Sequence, residues 1–432
     1  MMQYIPRILE DSVVESVRNY EAIVLTGPRQ AGKTSMVENV GRKLFPAMET
    51  IAFDTPSDLD DFRRDPRLFF ANHPGVLFLD EVQHAPDVFP YLKKEIDRAR
   101  GTFRAFLSGS QPLHVMRGVS ESLAGRACVM DLWPFCSQEA RGIRRQAEAH
   151  ATVEFLERPE TLDRLLGAGF PSSDRDDVIP GMLKGGYPKR VVHHAGSDWL
   201  ESYRRTYLQR DVRGLAQIED LGKFDRFTVL CAGLTGAVLN KAELARDLGV
   251  DAKTVDAWLA ILENTYQSVR LPPFFRNLSK RVVKHPKHVF ADIGLALHLQ
   301  GIRDAPGLMR SPQFGHLFET FVIMEIRKLY GHANVPWNGF FWRTPDGREC
   351  DLVLEAGGRA IPIEIKHAST LRPEDLRGLR AFLEAHGEEA GCGIVLSMDP
   401  RVERLTDRIW KLPLGLLLNG VASASLAGAS VV

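Results

Sequence analysis

Gly27-Pro28-Arg29-Gln30-Ala31-Gly32-Lys33-Thr34 is the stretch that decides the reading of the first half of this chain. It has the form GxxxxGK[ST]. It follows the apolar run Ala22-Ile23-Val24-Leu25 and opens a helical stretch beginning Thr34-Ser35-Met36-Val37. Strand, glycine loop and helix N-terminus in that order make a cradle for phosphate. The glycines let backbone N–H groups wrap an anion, and the helix adds its positive end. In such a loop the lysine, here Lys33, reaches the β- and γ-phosphates of a nucleotide, and Thr34 offers its hydroxyl to Mg²⁺. The expected binding set is Gly27, Pro28, Arg29, Gln30, Ala31, Gly32, Lys33, Thr34 and Ser35, with ATP and Mg²⁺ as the ligands.

The surrounding runs extend this reading. Ile51-Ala52-Phe53, Val76-Leu77-Phe78-Leu79, Ala105-Phe106-Leu107 and Cys128-Val129-Met130 alternate with helical stretches and lack polar alternation. Strands buried on both faces of a parallel α/β sheet read this way. The second run ends in Asp80-Glu81. Asp80 is placed to hold the Mg²⁺ water shell and Glu81 to polarise an attacking water, a pairing suited to hydrolysis. Phe106-Leu107-Ser108-Gly109-Ser110 ends in small polar residues and belongs between the other two strands. There Ser108 is expected to hydrogen-bond the γ-phosphate or the water. Arg126, in Leu123-Ala124-Gly125-Arg126, reads either as an arginine finger, in its own site or a neighbour's, or as one end of a structural salt bridge.

Composition bounds the rest. The chain has 432 residues, too many for one ordinary core at roughly 100–200 residues per domain. Lys plus Arg equals Asp plus Glu at 55 each, so any nucleic-acid surface must be local. The cysteines, Cys128, Cys136, Cys231, Cys350 and Cys392, form no CxxC pair, which fits reduced thiols and a cytoplasmic setting. No signal-peptide pattern and no membrane span are expected. The uncharged stretch from Leu412 is broken by Pro413, Gly415, Asn419 and Gly420, and reads as a last strand and a loose tail.

Taken together these motifs resemble the bacterial and archaeal AAA+-type P-loop ATPases whose C-terminal half is a domain of unknown function. In the first half the likeness rests on the glycine loop, Asp80-Glu81, the Ser-Gly-Ser strand end and Leu-Ala-Gly-Arg. Later it rests on Gly185-Gly186-Tyr187-Pro188, Tyr203 through Arg210-Asp211, Thr254-Val255 with Trp258-Leu259, Gly315-His316-Leu317-Phe318-Glu319, and Glu349-Cys350-Asp351 with Ile363-Glu364-Ile365-Lys366. Gln111 and Cys350 are atypical. The resemblance implies an ATPase core over 1–140, a helical lid or connector over 141–235, a winged-helix-like unit over 236–313, an α/β unit over 314–420 and a tail over 421–432.

Two of these later units carry residue-level expectations. Asn240 and Asp251 are capping residues for two short helices three residues apart, with Gly249 stopping the first, a helix-turn-helix pattern. Between Asn264 and Ala291 stand Arg270, Arg276, Lys280, Arg281, Lys284 and Lys287 with no acid. This stretch reads as backbone contact to DNA or, equally, as part of a protein-docking module, because Asp256 and Glu263 on the second helix oppose phosphate. Further on, Phe340-Phe341-Trp342-Arg343 and Asp351-Leu352-Val353-Leu354 read as a hairpin, with Ile361 to Lys366 as the next strand. Glu364 and Lys366 then share a face. With Asp351 opposite and Glu319 on the preceding helix, the cluster resembles the PD-(D/E)xK nuclease core, active or surviving only as a salt-bridged relic. The functions left open are an ATP-driven switch or motor, working as a monomer or a homo-oligomer; a nucleotide-gated nuclease; and a slow regulatory module with a protein client.

Overall fold

The computed structural model describes residues 4–99, 101–110, 112–171, 175–207, 212, 218, 220–275 and 285–423. Five parallel strands form the first sheet: β1 (Ala22–Thr26), β2 (Glu49–Ala52), β3 (Val76–Asp80), β4 (Arg104–Gly109) and β5 (Ala127–Asp131), in the order β2-β3-β4-β1-β5. Both faces are covered, which explains the unbroken apolar runs. On one side Ile23, Leu25, Phe78 and Phe106 pack on Met36, Val37 and Val40 of α1 (Lys33–Leu44). On the other, Val24, Leu77, Leu79 and Leu107 pack on Phe89 and Leu92 of the helix Val88–Arg98. The strand that ends in Ser108-Gly109 lies between the loop strand and the Asp80 strand, as the motif order requires. The C-terminal ends of β1, β4 and β3 therefore stand side by side, where ligands of open α/β sheets bind.

From Ser137 to Gly233 the described chain is a series of helices with short connections. Then come α2 (Lys241–Leu248) and α3 (Ala252–Asn264). The Asn240 side chain accepts from Glu243 N–H, and Asp251 accepts from Thr254 N–H. Gly249 closes α2 at φ 61°. Val255, Trp258, Leu259 and Leu262 are buried on one stripe of α3. An antiparallel pair follows, β6 (Ser268–Leu271) and β7 (Lys287–Phe290). Arg276, Lys280, Arg281 and Lys284 of the basic stretch lie outside the described residues, as do Gln111, Arg210 and Asp211. The two remaining cations are already engaged within the chain. Arg270 is paired with Glu263, and Lys287 is buried with its ammonium 5.5 Å from the centre of the Phe341 ring. On α3, Asp256 is paired with Lys241.

The last unit is built on α4 (Phe314–His332), α5 (Arg377–His386) and a six-stranded sheet. Its strands are β8 (Gly339–Arg343), β9 (Glu349–Ala356), β10 (Arg359–Lys366), β11 (Gly393–Ser397), β12 (Glu403–Thr406) and β13 (Ile409–Pro413), in the order β12-β13-β11-β10-β9-β8. Strands β8, β9 and β10 form an antiparallel meander, while β10, β11 and β13 run parallel. One face (Leu352, Ile363, Ile365, Leu396) joins a core that continues through Phe318, Trp258, Phe224 and Phe155. The other face packs Cys350, Val353 and Val395 on Leu379 and Phe382 of α5.

The last strand expected at Leu412 is present, but the loose tail expected directly after it is corrected. β13 ends at Pro413 and the chain turns into a helix, Leu414–Asn419, with Leu414, Leu416, Leu417 and Leu418 buried. Within the charge-free stretch, Leu412 to Leu418 is core. Residues 424–432 lie outside the described set. All five cysteines are free thiols. Among the described residues no helix is long and apolar enough to cross a membrane.

Candidate functional site

The glycine loop leaves β1 with Gly27 at φ 146°. A Cβ there would overlap the carbonyl of Leu132, so the loop's take-off requires glycine. Lys33 is buried at the start of α1 and its Nζ donates to the carbonyls of Gly27 (3.0 Å) and Pro28 (2.9 Å). Thr34 Oγ1 donates to Asp80 Oδ2 at 2.7 Å. The other oxygen, Oδ1, accepts from Ser108 Oγ and from the Glu81 backbone N–H at 3.0 Å. Three motifs far apart in the chain thus meet on one carboxylate. Magnesium takes oxygen ligands and keeps several waters. The paired Thr34 hydroxyl and Asp80 carboxylate fit that chemistry.

Glu81 adopts a left-handed backbone, φ 53°. Gln83 Nε2 donates to Glu81 Oε2 and lies 3.4 Å from Ser110 Oγ. Gln83 was not singled out from sequence. It belongs to no motif, and only the short helical turn Val82–His84 brings it back over the strand ends. Arg126 is not part of the group. Its Nε donates to Asp97 at 2.9 Å, and its carbonyl accepts from Ala22 N–H at the start of β1. That is the opposite end of a strand of five residues, about 16 Å from the loop at 3.3 Å per residue. The salt bridge exists, and its own chain's loop is out of reach.

Arg7 was also missed, for the same reason as Gln83. It is 3% exposed, donates from Nη1 to the loop carbonyl of Ala31 at 3.0 Å, and donates from Nη2 to Trp133 O at 2.7 Å. Its Nε pairs with Glu139 at 3.0 Å, and Nη2 lies 3.2 Å from His332 Nε2 at the end of α4. Burial alone would raise the Glu139 carboxyl, but Arg7 and His332 hold it well below the usual carboxylate range. A second tie crosses nearby. Tyr266 Oη, just after α3, donates to Asp131 at 2.7 Å, and Thr26 donates to the same oxygen at 2.7 Å. The ends of β1 and β5 are therefore held by residues from the C-terminal half.

The second candidate cluster lies where β9 begins beside the end of β10. Asp351 Oδ2 accepts from Ile365 N–H at 2.7 Å, and Lys366 Nζ pairs with Glu364 at 2.7 Å and Asp375 at 3.8 Å. Burial, then the charges of Glu364 and Glu319, push Asp351 well above its ordinary value. Burial pushes Glu364 up to about 7 despite Lys366. Among the described residues no donor reaches Glu364 Oε2. Glu319 and Lys366 line an adjoining cavity of about 1,050 Å³.

The parallel sheet and its loop define an AAA-type, nucleotide-binding ATPase core. A family model described as "AAA domain" matches residues 19–141; two described as domains of unknown function, DUF8612 and DUF4143, match 175–305 and 314–417. The chain belongs to the family of an uncharacterised protein of Mycobacterium tuberculosis, to which it is 32% identical over 84% of this chain and 73% of that protein. An uncharacterised protein of Mycobacterium bovis matches with the same figures. Among solved structures, a Walker-type ATPase of Pyrococcus abyssi gives a TM-score of 0.39 at 16% identity, over 68% of this chain and 94% of that one. The RuvB Holliday junction branch migration motor of Thermotoga maritima gives 0.29 at 15%, over 61% and 87%.

Proposed function

We propose that the chain binds ATP with Mg²⁺ at the glycine loop, hydrolyses it, and passes the nucleotide state to its C-terminal half as a switch or motor. The observation that carries this reading is the Asp80 carboxylate, joined to Thr34 and Ser108 at the edge of the parallel sheet. In this scheme Lys33 leaves the loop carbonyls for the β- and γ-phosphates, and backbone N–H groups of Gly27 to Ser35 cradle the rest. Thr34 and Asp80 would hold Mg²⁺, which supplies positive charge to the phosphate oxygens. Ser108 hydrogen-bonds the γ-phosphate or the water, and Glu81 orients and deprotonates that water once it parts from Gln83. Arg126 acts on a neighbouring copy, so the working form is an oligomer. The units of this machine are those expected from sequence: 1–140, 141–235, 236–313, 314–420 and 421–432. A protein client, or DNA held by 264–291, is the partner, and the setting is the cytoplasm. The test pairs nucleotide binding with phosphate release for Lys33→Ala and Glu81→Gln. Glu81→Gln that binds ATP but releases no phosphate supports the assignment, and normal turnover in that variant removes it.

The acidic cluster favours a second reading: a divalent-cation site of PD-(D/E)xK type, with Asp351 and Glu364 as ligands, Glu319 beside them and Lys366 orienting a water. Its support is chemical. Carboxylates buried together against their own charge, one with an oxygen lacking a donor, are stabilised by a cation. When bound, the ion would polarise a phosphodiester. Linear, supercoiled and single-stranded DNA, and RNA, incubated with Mg²⁺ or Mn²⁺ provide the test. Cleavage lost in both Asp351→Ala and Lys366→Ala assigns a nuclease; no cleavage leaves a binding element.

A further inference from the structure

Among the described residues seven large apolar side chains are exposed, and three of them, Leu230, Leu234 and Val238, line one groove of about 730 Å³. Leu230 and Leu234 stand at the end of the helix Leu221–Gly233, and Val238 follows in the connection to α2. The groove also carries charge. Glu243 and Asp247, both exposed and one turn apart, belong to α2; Arg310, also exposed, belongs to the helix Ala305–Arg310. Exposed apolar side chains gathered in a polar-rimmed hollow mark a surface that another protein covers. The most exposed of the seven stands elsewhere. Leu68, at 56%, lies on the short helix Pro66–Asn72 of the ATPase core, with the exposed Ala71 one turn beyond. Arg67 is the only charged residue of that helix, and the exposed Asp61 and Asp65 precede it. Asp61 is paired with Arg64 at 3.4 Å. Among the described residues neither Arg67 nor Glu243 forms an ion pair.

Knob and groove match in kind. Each has an apolar centre flanked by charges of both signs, and a cation beside Leu68 can meet the acids of α2. From these observations we infer that Leu68 of one copy of this chain docks in the groove of Leu230, Leu234 and Val238 on the next copy, with Arg67 set against Glu243 and Asp247. Removal of apolar surface from water drives the contact. The opposed charges fix its register and speed the encounter. Knob and groove lie on different units of the chain, so the contact runs head to tail. A dimer does not satisfy it, because each copy added still leaves one knob and one groove open. Such contacts close into a ring or run on as a filament. The inference rests on the oligomeric working form proposed above and names the surfaces that build it; Arg126 is not among them.

Sedimentation velocity of the full chain, with and without Mg²⁺ and ATP, tests the contact. The wild-type chain should form species larger than a dimer as its concentration rises toward about 100 µM. Leu68→Glu and Leu234→Glu should each weaken assembly roughly tenfold or more, leaving monomer over most of that range. An equimolar mixture of the two variants should give a dimer and nothing larger, since one intact knob meets one intact groove and the other pair is spoiled. A misfolded variant cannot produce that dimer. Arg67→Glu should weaken assembly as well, and Glu243→Arg added to the same chain should restore part of it. Assembly that survives Leu68→Glu, Leu234→Glu or Arg67→Glu unchanged overturns the contact and leaves the oligomeric reading standing. If the groove substitution alone matters, the groove belongs to another segment or another protein. A mixture that stays monomeric also overturns the contact. A wild-type chain that is monomeric under both conditions overturns the contact and the oligomeric reading together.

Discussion

At the scale of single residues, charge and position decide most. Lys33 sits folded on its own loop carbonyls. Lys33→Ala removes a charge-assisted phosphate contact worth about 1.5–3 kcal/mol, so ATP affinity should fall roughly tenfold or more in a calorimetric titration. Retained affinity would mean that the loop binds without its lysine. Glu364 makes a prediction of opposite sign for stability. Burial raises its folded pKa to about 7, while the unfolded carboxyl titrates near about 4.3. Between those values the folded chain holds a proton that the unfolded chain has released. Stability therefore falls as pH rises from about 4 to about 7, and the loss is complete above that. Glu364→Gln abolishes the penalty. It should leave stability unchanged near pH 4 and raise it by on the order of 1–3 kcal/mol at pH 8 in urea melts without divalent cation. A shift of equal size at both pH values would rule out titration as the cause.

Among the elements, close approach of backbones governs what can change. α5 crosses β9 so near that a Cβ on Gly378 would overlap the carbonyl of Glu349. That carbonyl lies two residues before Asp351, and Asp375, just before α5, contacts Lys366. Gly378→Ala should push α5 off the sheet, cost roughly 1–3 kcal/mol in a denaturant melt, and weaken Mn²⁺ binding at the cluster. A silent substitution would mean that the helix moves freely over the sheet. β11 and β12 were not legible in sequence, while the five strands of the first sheet, the loop, the caps of α2 and α3, and the β8–β9–β10 meander were legible. Their signals are local: glycine turns, capping oxygens and apolar runs. The helix Leu414–Asn419 was not. Glycine, proline and asparagine around it break the local pattern, and only burial of its four leucines against the rest of the core makes it a helix.

For the whole molecule, the question is how a nucleotide at one sheet reaches residues at another. Arg7 touches the loop carbonyl of Ala31 and pairs with Glu139, while His332 at the end of α4 contacts both. The other end of α4 carries Glu319 at the acidic cluster. Arg7→Met leaves Glu139 charged and buried without its partner, so it should cost about 3–5 kcal/mol and lower the melting temperature of the entire chain. Loss confined to the ATPase sheet, read by hydrogen exchange, would show that the two halves unfold separately. Arg126, far from its own loop, yields a different expectation. ATPase rate per chain should rise with protein concentration, and Arg126→Ala mixed with Glu81→Gln should recover part of the activity. A rate strictly proportional to enzyme, with no recovery, would favour a monomer.

The sequence by itself determined the class of the first domain and the residues of the phosphate cradle, because a glycine loop, a strand-end acid and a buried strand each have a local physical cause. It also marked Asp351, Glu364 and Lys366, since alternation along two strands places them on one face. Only the tertiary structure decided that Arg126 stands at the far end of its strand, that Lys287 is buried and Arg270 paired with Glu263, that Arg7 holds the nucleotide loop, and that Gln83 holds Glu81. Those roles depend on which surfaces meet across the sheet, and a long-range contact between side chains leaves no period in the chain to read.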